Sequence, residues 1–305
     1  VVASLDLGRF APRSRTRVLR AAEGAPEGDW ELWVREPALP LARLVAGLWA
    51  GAVEQPGGRH RTLPNGELVL MFHLGPPQRA VERDGAPCHE ILRTGFLAGL
   101  QERPETIESP HAHTRVVAAR LRPLGAWALL GGLPLDSLTG QILDPESVLG
   151  GSAGVRELRE RMLEARDFGG ALDLLETWLT ARLSAARAPH AATLRASALL
   201  SAPEPELPVS ALAREAGVSA RRLHELFQRE VGLPAKRIGR ILRFRRALER
   251  LCTDRTLDLT ELALDCGYYD QAHLYRDFRD LAGLTPRAYL KALGRGEDGP
   301  YTVSG

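Results

Sequence analysis

One stretch near the C-terminus occurs twice, as VSALAREAGVSARRLHELFQREVG from Val209 and as LTELALDCGYYDQAHLYRDFRDLAG from Leu259. Each copy reads as a short apolar-patterned helix, a break centred on glycine and a second helix with one polar face, the form of a helix-turn-helix. The copies align at an offset of fifty up to the turn (Ala213 with Ala263, Gly217 with Gly267). Beyond it they align at fifty-one (Leu223 with Leu274, Phe227 with Phe278, Gly232 with Gly283), so the second copy has one extra turn residue. Two such units in tandem imply an all-α C-terminal part able to seat two helices in successive major grooves.

Local chemistry supports the repeat. Leu212, Ala213, Leu223, Leu226, Phe227 and Val231 recur at spacings of three and four and define one buried stripe. Gly217 falls where the chain turns sharply, a place suited to positive φ. Ser219 and Asp270 each precede a second helix, where a side-chain oxygen accepts from the first free amides. The residues left facing outward are Arg221, Arg222, His224, Glu225 and Gln228 in one unit and Gln271, His273, Tyr275, Arg276 and Arg279 in the other. Arg and Gln make paired hydrogen bonds to guanine and adenine edges. A helical repeat whose polar residues form only a solvated face is the plainer alternative.

Charge points the same way. The segment from Arg221 to Arg250 is net +7 in a chain whose total is +2, so the remainder is net acidic. Such asymmetry marks where a polyanion docks. Arg240, in the helix expected between the copies from Pro234 to Cys252, is the candidate for a phosphate contact.

From about Pro189 to Leu293 the chain resembles the AraC/XylS family of transcription regulators. The resemblance rests on the tandem units and on the run Gly267-Tyr268-Tyr269-Asp270, Leu274, Phe278 and Gly283-Leu284-Thr285-Pro286-Arg287-Ala288-Tyr289. It implies that base contacts come from Arg221, His224, Glu225 and Gln228 in the first unit and from Gln271, His273, Tyr275 and Arg276 in the second. It also implies a regulator without catalysis, with double-stranded DNA, a small-molecule effector, a second copy of the chain and RNA polymerase as expected partners.

The 305 residues suffice for about two domains, with 44% hydrophobic and 26% charged residues, ordinary for a globular chain. Four ranges are expected: a poorly ordered segment 1–28, a β-rich sensor or dimerisation domain with a helical arm at 29–188, a DNA-binding domain at 189–293 and a tail at 294–305. Between Trp30 and Arg122, short apolar runs (Leu44 to Val53, Glu67 to Leu74, Arg93 to Leu100, Thr114 to Leu121) and the Pro64-Asn65-Gly66 turn predict strands of a barrel or sandwich. From Gly125 the period becomes helical, clearest at Val155 to Ala165 and Ala171 to Ala185, and Ser201 to Pro208 reads as a loop. The phrases Leu63-Pro64-Asn65-Gly66, Met71-Phe72-His73-Leu74-Gly75 and Arg120-Leu121-Arg122-Pro123-Leu124-Gly125-Ala126 are similar to the cupin-like sensor domains of some AraC-type regulators. The expected fold class is therefore α+β followed by all-α.

Three constellations in this half bear on chemistry. His111 and His113 share a face if they lie on a strand, as a metal site requires, with His60, His73 or Glu67 as a third ligand; the preceding Ser-Pro reads as a loop, and no metal or cofactor is expected. Trp30, Trp33, Trp49, Trp127, Phe72 and Phe96 serve either as an ordinary core or as an effector pocket, for which Trp49, Phe72 and Trp127 are the candidates. Pro87-Cys88-His89-Glu90 resembles the active-site phrase of alkylguanine-DNA alkyltransferases, so an alternative function is DNA alkyl transfer with Cys88 as nucleophile. Glu90 stands where that family has arginine. Three unpaired-spacing cysteines, no apolar run long enough for a membrane span and no secretory signal suggest a cytoplasmic protein without membrane contact.

Overall fold

The computed structural model describes residues 15–20, 30–39, 41–53, 58–83, 86–109, 111, 113–149, 152–184, 186–202, 207–253 and 258–294. The N-terminal half is built on two antiparallel sheets. The larger has seven strands in the order β1 (Thr16–Arg20), β2 (Trp30–Arg35), β3 (Val45–Val53), β10 (Thr114–Leu121), β5 (Leu68–His73), β8 (Gly95–Ala98) and β11 (Ile142–Leu143). The smaller has β4 (Gly58–Thr62), β9 (Glu105–Ser109), β6 (Gln78–Arg83) and β7 (Ala86–Leu92).

Strand β10 shows why the large sheet is covered on both faces. Val117 pairs with Ala50 and Phe72, Ala119 with Leu48 and Leu70, and these side chains belong to the main core. Their neighbours one residue along, Ala118, Trp49 and Met71, are paired with one another and so point to the opposite face. There Met71 joins Phe96, Ala98, Ile142 and residues of the small sheet (Ala80, Leu92, Ile107) in a second apolar cluster between the sheets.

Helices cover the first face. α1 (Pro123–Leu129) starts on Pro123, whose missing N–H costs nothing in the first turn. α2 (Pro145–Val148), α3 (Ser152–Leu163) and α4 (Phe168–Ser184) follow, and α4 buries Leu172, Leu175 and Leu179 beneath β3 and β10. The segment expected to be poorly ordered contributes β1, which pairs with β2 in full register. Arg15 beside it reaches Glu176 of α4 at 2.7 Å, and buried Arg35 of β2 reaches Asp173. These contacts join distant segments, which is why local composition did not reveal them. Residues 1–14, 21–28 and 295–305 lie outside the described residues, as do 203–206 of the expected loop and the side chains of His60 and His89.

The C-terminal half consists of α5 (Ala191–Ser201), α6 (Val209–Glu215), α7 (Ala220–Val231), α8 (Ala235–Thr253), α9 (Leu259–Asp265), α10 (Gln271–Ala282) and α11 (Pro286–Gly294). Its core runs into the main core of the N-terminal half without a break. Specific contacts mark the junction. Thr139 Oγ1 donates to the Gly232 carbonyl at 2.9 Å, at the end of α7. Arg245 of α8 donates to Glu67 at 2.9 Å, and the Gly66 turn lies against Leu242 so closely that a Cβ there would sit 3.2 Å from it. Arg237 pairs with Glu102.

Candidate nucleic-acid interface

Each repeat unit is folded by the same devices. The proposed apolar stripe is buried throughout: Leu212, Ala213, Leu223, Leu226, Phe227 and Val231 in the first unit, with Leu262, Ala263, Leu274, Phe278 and Leu281 in the second. Gly217 and Gly267 have φ of 73° and 83°, and the next amide in each copy, that of Val218 or Tyr268, returns to the carbonyl of Ala213 or Ala263. This closes both turns identically. Ser219 Oγ accepts from the Arg222 amide at 3.1 Å, and Asp270 accepts from the His273 amide at 2.7 Å. Asp258 caps α9 in the same way through the Thr260 and Glu261 amides; the Asp258-x-x-Glu261 spacing carries that signal in the sequence. The closing run has a structural basis too: Thr285 Oγ1 accepts from the Ala288 amide, and Tyr289 is fully buried with its ring edge-on to Phe278.

These devices leave one face of α7 and one face of α10 outward. On α7, Arg221, His224 and Glu225 are exposed and Gln228 is half-buried. Glu225 is held between Arg221 and Arg222 at 3.3 Å each, and their hydrogen bonds keep its carboxyl below the usual range. Gln228 and His224 approach at 3.4 Å. On α10, Gln271, Tyr275, Arg276, Arg279 and Ala272 line a shallow cleft. His273 is half-buried, its ring edge-on to Tyr268 at 5.1 Å between centroids. The arrangement supplies guanidinium and amide groups on two capped helices.

The basic segment differs from its sequence reading. Among the described residues nine of its ten basic side chains have a partner within the molecule. Arg240 is the case that matters most. It donates to Asp277 at 2.7 Å and also pairs with Asp280, and Asp277 is buried on the inner side of α10. Arg243 also approaches Asp277 and stacks on Tyr268. Arg240 therefore braces α8 against α10 rather than standing free for phosphate. A formal charge count over the segment cannot see this, because Asp277 and Asp280 lie outside it.

His111 and His113 are exposed in the connection before β10, not on a strand, so the shared-face geometry is missing. His73 is buried with Nδ1 on the Leu92 carbonyl, burial lowers its pKa, and Glu67 is held by Arg120 and Arg245. Among the described residues no group of three or more His, Cys, Asp or Glu is placed to hold a metal ion. Trp49 lies on the opposite face of the large sheet from Phe72, and both Phe72 and Trp127 are packed in the main core. The three aromatics do not converge on one pocket. Cys88 lies on strand β7, and burial pushes its thiol pKa up, the reverse of what activates a nucleophile. No helix among the described residues is long and apolar enough to cross a membrane.

A pair of capped helix-turn-helix units joined by a long helix defines the C-terminal half as a DNA-binding domain. Residues 212–292 match the model of a family described as a helix-turn-helix domain, and this domain is of the AraC type. Residues 34–144 match a domain of unknown function (DUF6597). No curated protein matches the chain. Among solved structures the chain is similar to ToxT from Vibrio cholerae at 9% identity, with 80% of this chain and 98% of that one covered and a TM-score of 0.47. An AraC-type DNA-binding domain-containing regulator from Chromobacterium violaceum is 27% identical over 35% of this chain and 95% of its own, with a TM-score of 0.31. A probable AraC family regulator from Rhodopseudomonas palustris is 25% identical over 33% and 94%, with a TM-score of 0.30.

Proposed function

We propose that the chain is a transcription regulator that reads two adjacent major-groove segments, one with α7 and one with α10, while its N-terminal half senses an effector or dimerises. The observation that carries the reading is the pair of separately capped helices, each with an Arg- and Gln-bearing face turned to solvent. In the first unit Arg221, His224, Glu225 and Gln228 are the proposed base contacts; in the second, Gln271, His273, Tyr275 and Arg276. Arg240, held by Asp277 and Asp280, is not among the proposed phosphate contacts. The surface pairs of Arg221 and Arg222 with Glu225 cost little to rearrange when DNA arrives, because exposed ion pairs are weak.

Effector sensing rests on the junction between the halves. A ligand that favours one packing of the N-terminal half alters operator affinity, and DNA alters ligand affinity by the same factor. Of the three aromatic candidates Trp49 alone is partly exposed, on the face toward the small sheet, and it is the proposed ligand contact. The test selects duplexes from a randomised pool with the full chain and then titrates the selected duplex against salt. Sequence-selective binding that weakens with salt supports the reading; salt-dependent binding with no selected sequence contradicts it.

A further inference from the structure

The two repeat copies close their turns with the same hydrogen bond, from the amide after the glycine. The second copy then spends one more residue before its cap, and that residue is Tyr269. Val218 is followed at once by the cap Ser219, whereas Tyr268 is followed by Tyr269 and only then by the cap Asp270. Tyr268 fills the inner slot, 3% exposed and beneath Arg243. Tyr269 is 88% exposed, the most exposed of the large hydrophobic side chains among the described residues. The turn does not need it, and it makes no hydrogen bond or ring contact among the described residues. The fold thus holds a phenol in solvent at the entry to the helix whose outward face carries Gln271, Ala272, Tyr275 and Arg276.

We propose that Tyr269 is a DNA-anchoring residue of the second unit, its hydroxyl donating to a backbone phosphate beside the groove segment that α10 enters. This rests on the DNA reading of the preceding subsection and adds a contact that the first unit lacks. Three physical points favour phosphate over a base edge. The residue precedes the helix cap Asp270, so it lies off the outward face of α10 that is proposed to read base edges. A phenol is a single donor and cannot make the paired bonds that discriminate bases. The adjacent helix N-terminus also favours a phosphate. Because the phenol is neutral, the bond adds affinity without releasing a counterion.

The salt dependence makes the inference testable. Fluorescence anisotropy of the full chain is measured on the duplex it selects and on a scrambled duplex, across a salt series, for wild type, Tyr269→Phe, Tyr269→Ala and Arg276→Ala. The expected result is that Tyr269→Phe and Tyr269→Ala weaken both duplexes alike, by about tenfold, with the slope of log affinity against log salt unchanged. Arg276→Ala weakens mainly the selected duplex. A Tyr269→Phe chain that binds like wild type overturns the inference while leaving the DNA reading intact, and so does a Tyr269→Ala chain that selects a different sequence. A wild-type chain that binds neither duplex overturns the DNA reading and this inference with it. Thermal midpoints equal to wild type are expected for both Tyr269 variants, since the side chain is 88% exposed.

Discussion

Arg240 and Arg276 carry the same charge and differ in what they can do. Arg240 neutralises a buried carboxylate, Asp277, whereas Arg276 is exposed beside the α10 cleft. Removing Arg240 leaves Asp277 with only the more distant Arg243, so Arg240→Ala is expected to lower stability by about 1–3 kcal/mol, read from the urea midpoint. Arg276→Ala is expected to leave that midpoint unchanged. The difference was hidden in the sequence because Asp277 falls within the apolar stripe of α10, between Leu274 and Phe278, where nothing local marks it as a partner of α8. Buried His73 gives a second residue-level expectation. Burial lowers its pKa, so the unfolded chain binds a proton first as pH falls below the ordinary value of 6.5, and stability is lost from there downward. His73→Gln is expected to flatten the pH dependence of the urea midpoint between the folded-state pKa and 6.5; an unchanged profile would assign the acid sensitivity elsewhere.

Among the elements, α7 and α10 were legible because capping, glycine turns and three-four spacing are local signals, and the repeat doubled each of them. Those signals make a graded prediction about glycines. Gly217 and Gly232 both have positive φ, but a Cβ at Gly217 meets nothing within 4 Å, whereas one at Gly232 comes within 3.1 Å of the Leu135 carbonyl and of Thr139. Gly217→Ala is expected to cost about 1 kcal/mol, the left-handed penalty alone, and Gly232→Ala distinctly more. Equal midpoint shifts would mean that the junction yields to a methyl group. Ser219→Ala is expected to cost about 1 kcal/mol through the cap of α7. Strands were legible to within a residue or two at Thr114–Leu121, Val45–Val53 and Leu68–His73. Their pairing was not, and the misplaced aromatic pocket shows the consequence. Trp49 and Phe72 each looked apolar and strand-borne, but only the β3–β10–β5 register reveals that they face opposite ways.

At the scale of the whole molecule, the two halves share one core and an ion-paired junction centred on Glu67, which sits among Arg120, Arg245 and the turn against Leu242. The sequence placed a boundary near Pro189, where the resemblance of the C-terminal part begins, but the junction depends on Glu67 and Arg245, which lie far apart in the chain. A fragment from Ala188 to Gly305 is expected to fold, with a lower thermal midpoint than the full chain because the apolar surface around α7 and α8 is uncovered. Glu67→Ala in the full chain leaves two half-buried arginines without their shared carboxylate. It is expected to speed hydrogen exchange in α8 while sparing α10, and uniform exchange in both helices would show that Glu67 does not hold the junction. The central claim remains that one chain reads DNA with two separate helices. Hydroxyl-radical footprinting of the full chain on its selected duplex tests this most directly. The account predicts two protected segments about one helical turn apart, roughly 10 base pairs, with Arg221→Ala losing sequence preference in one and Arg276→Ala in the other. A single protected segment, or equal loss on selected and scrambled DNA for both variants, would contradict it.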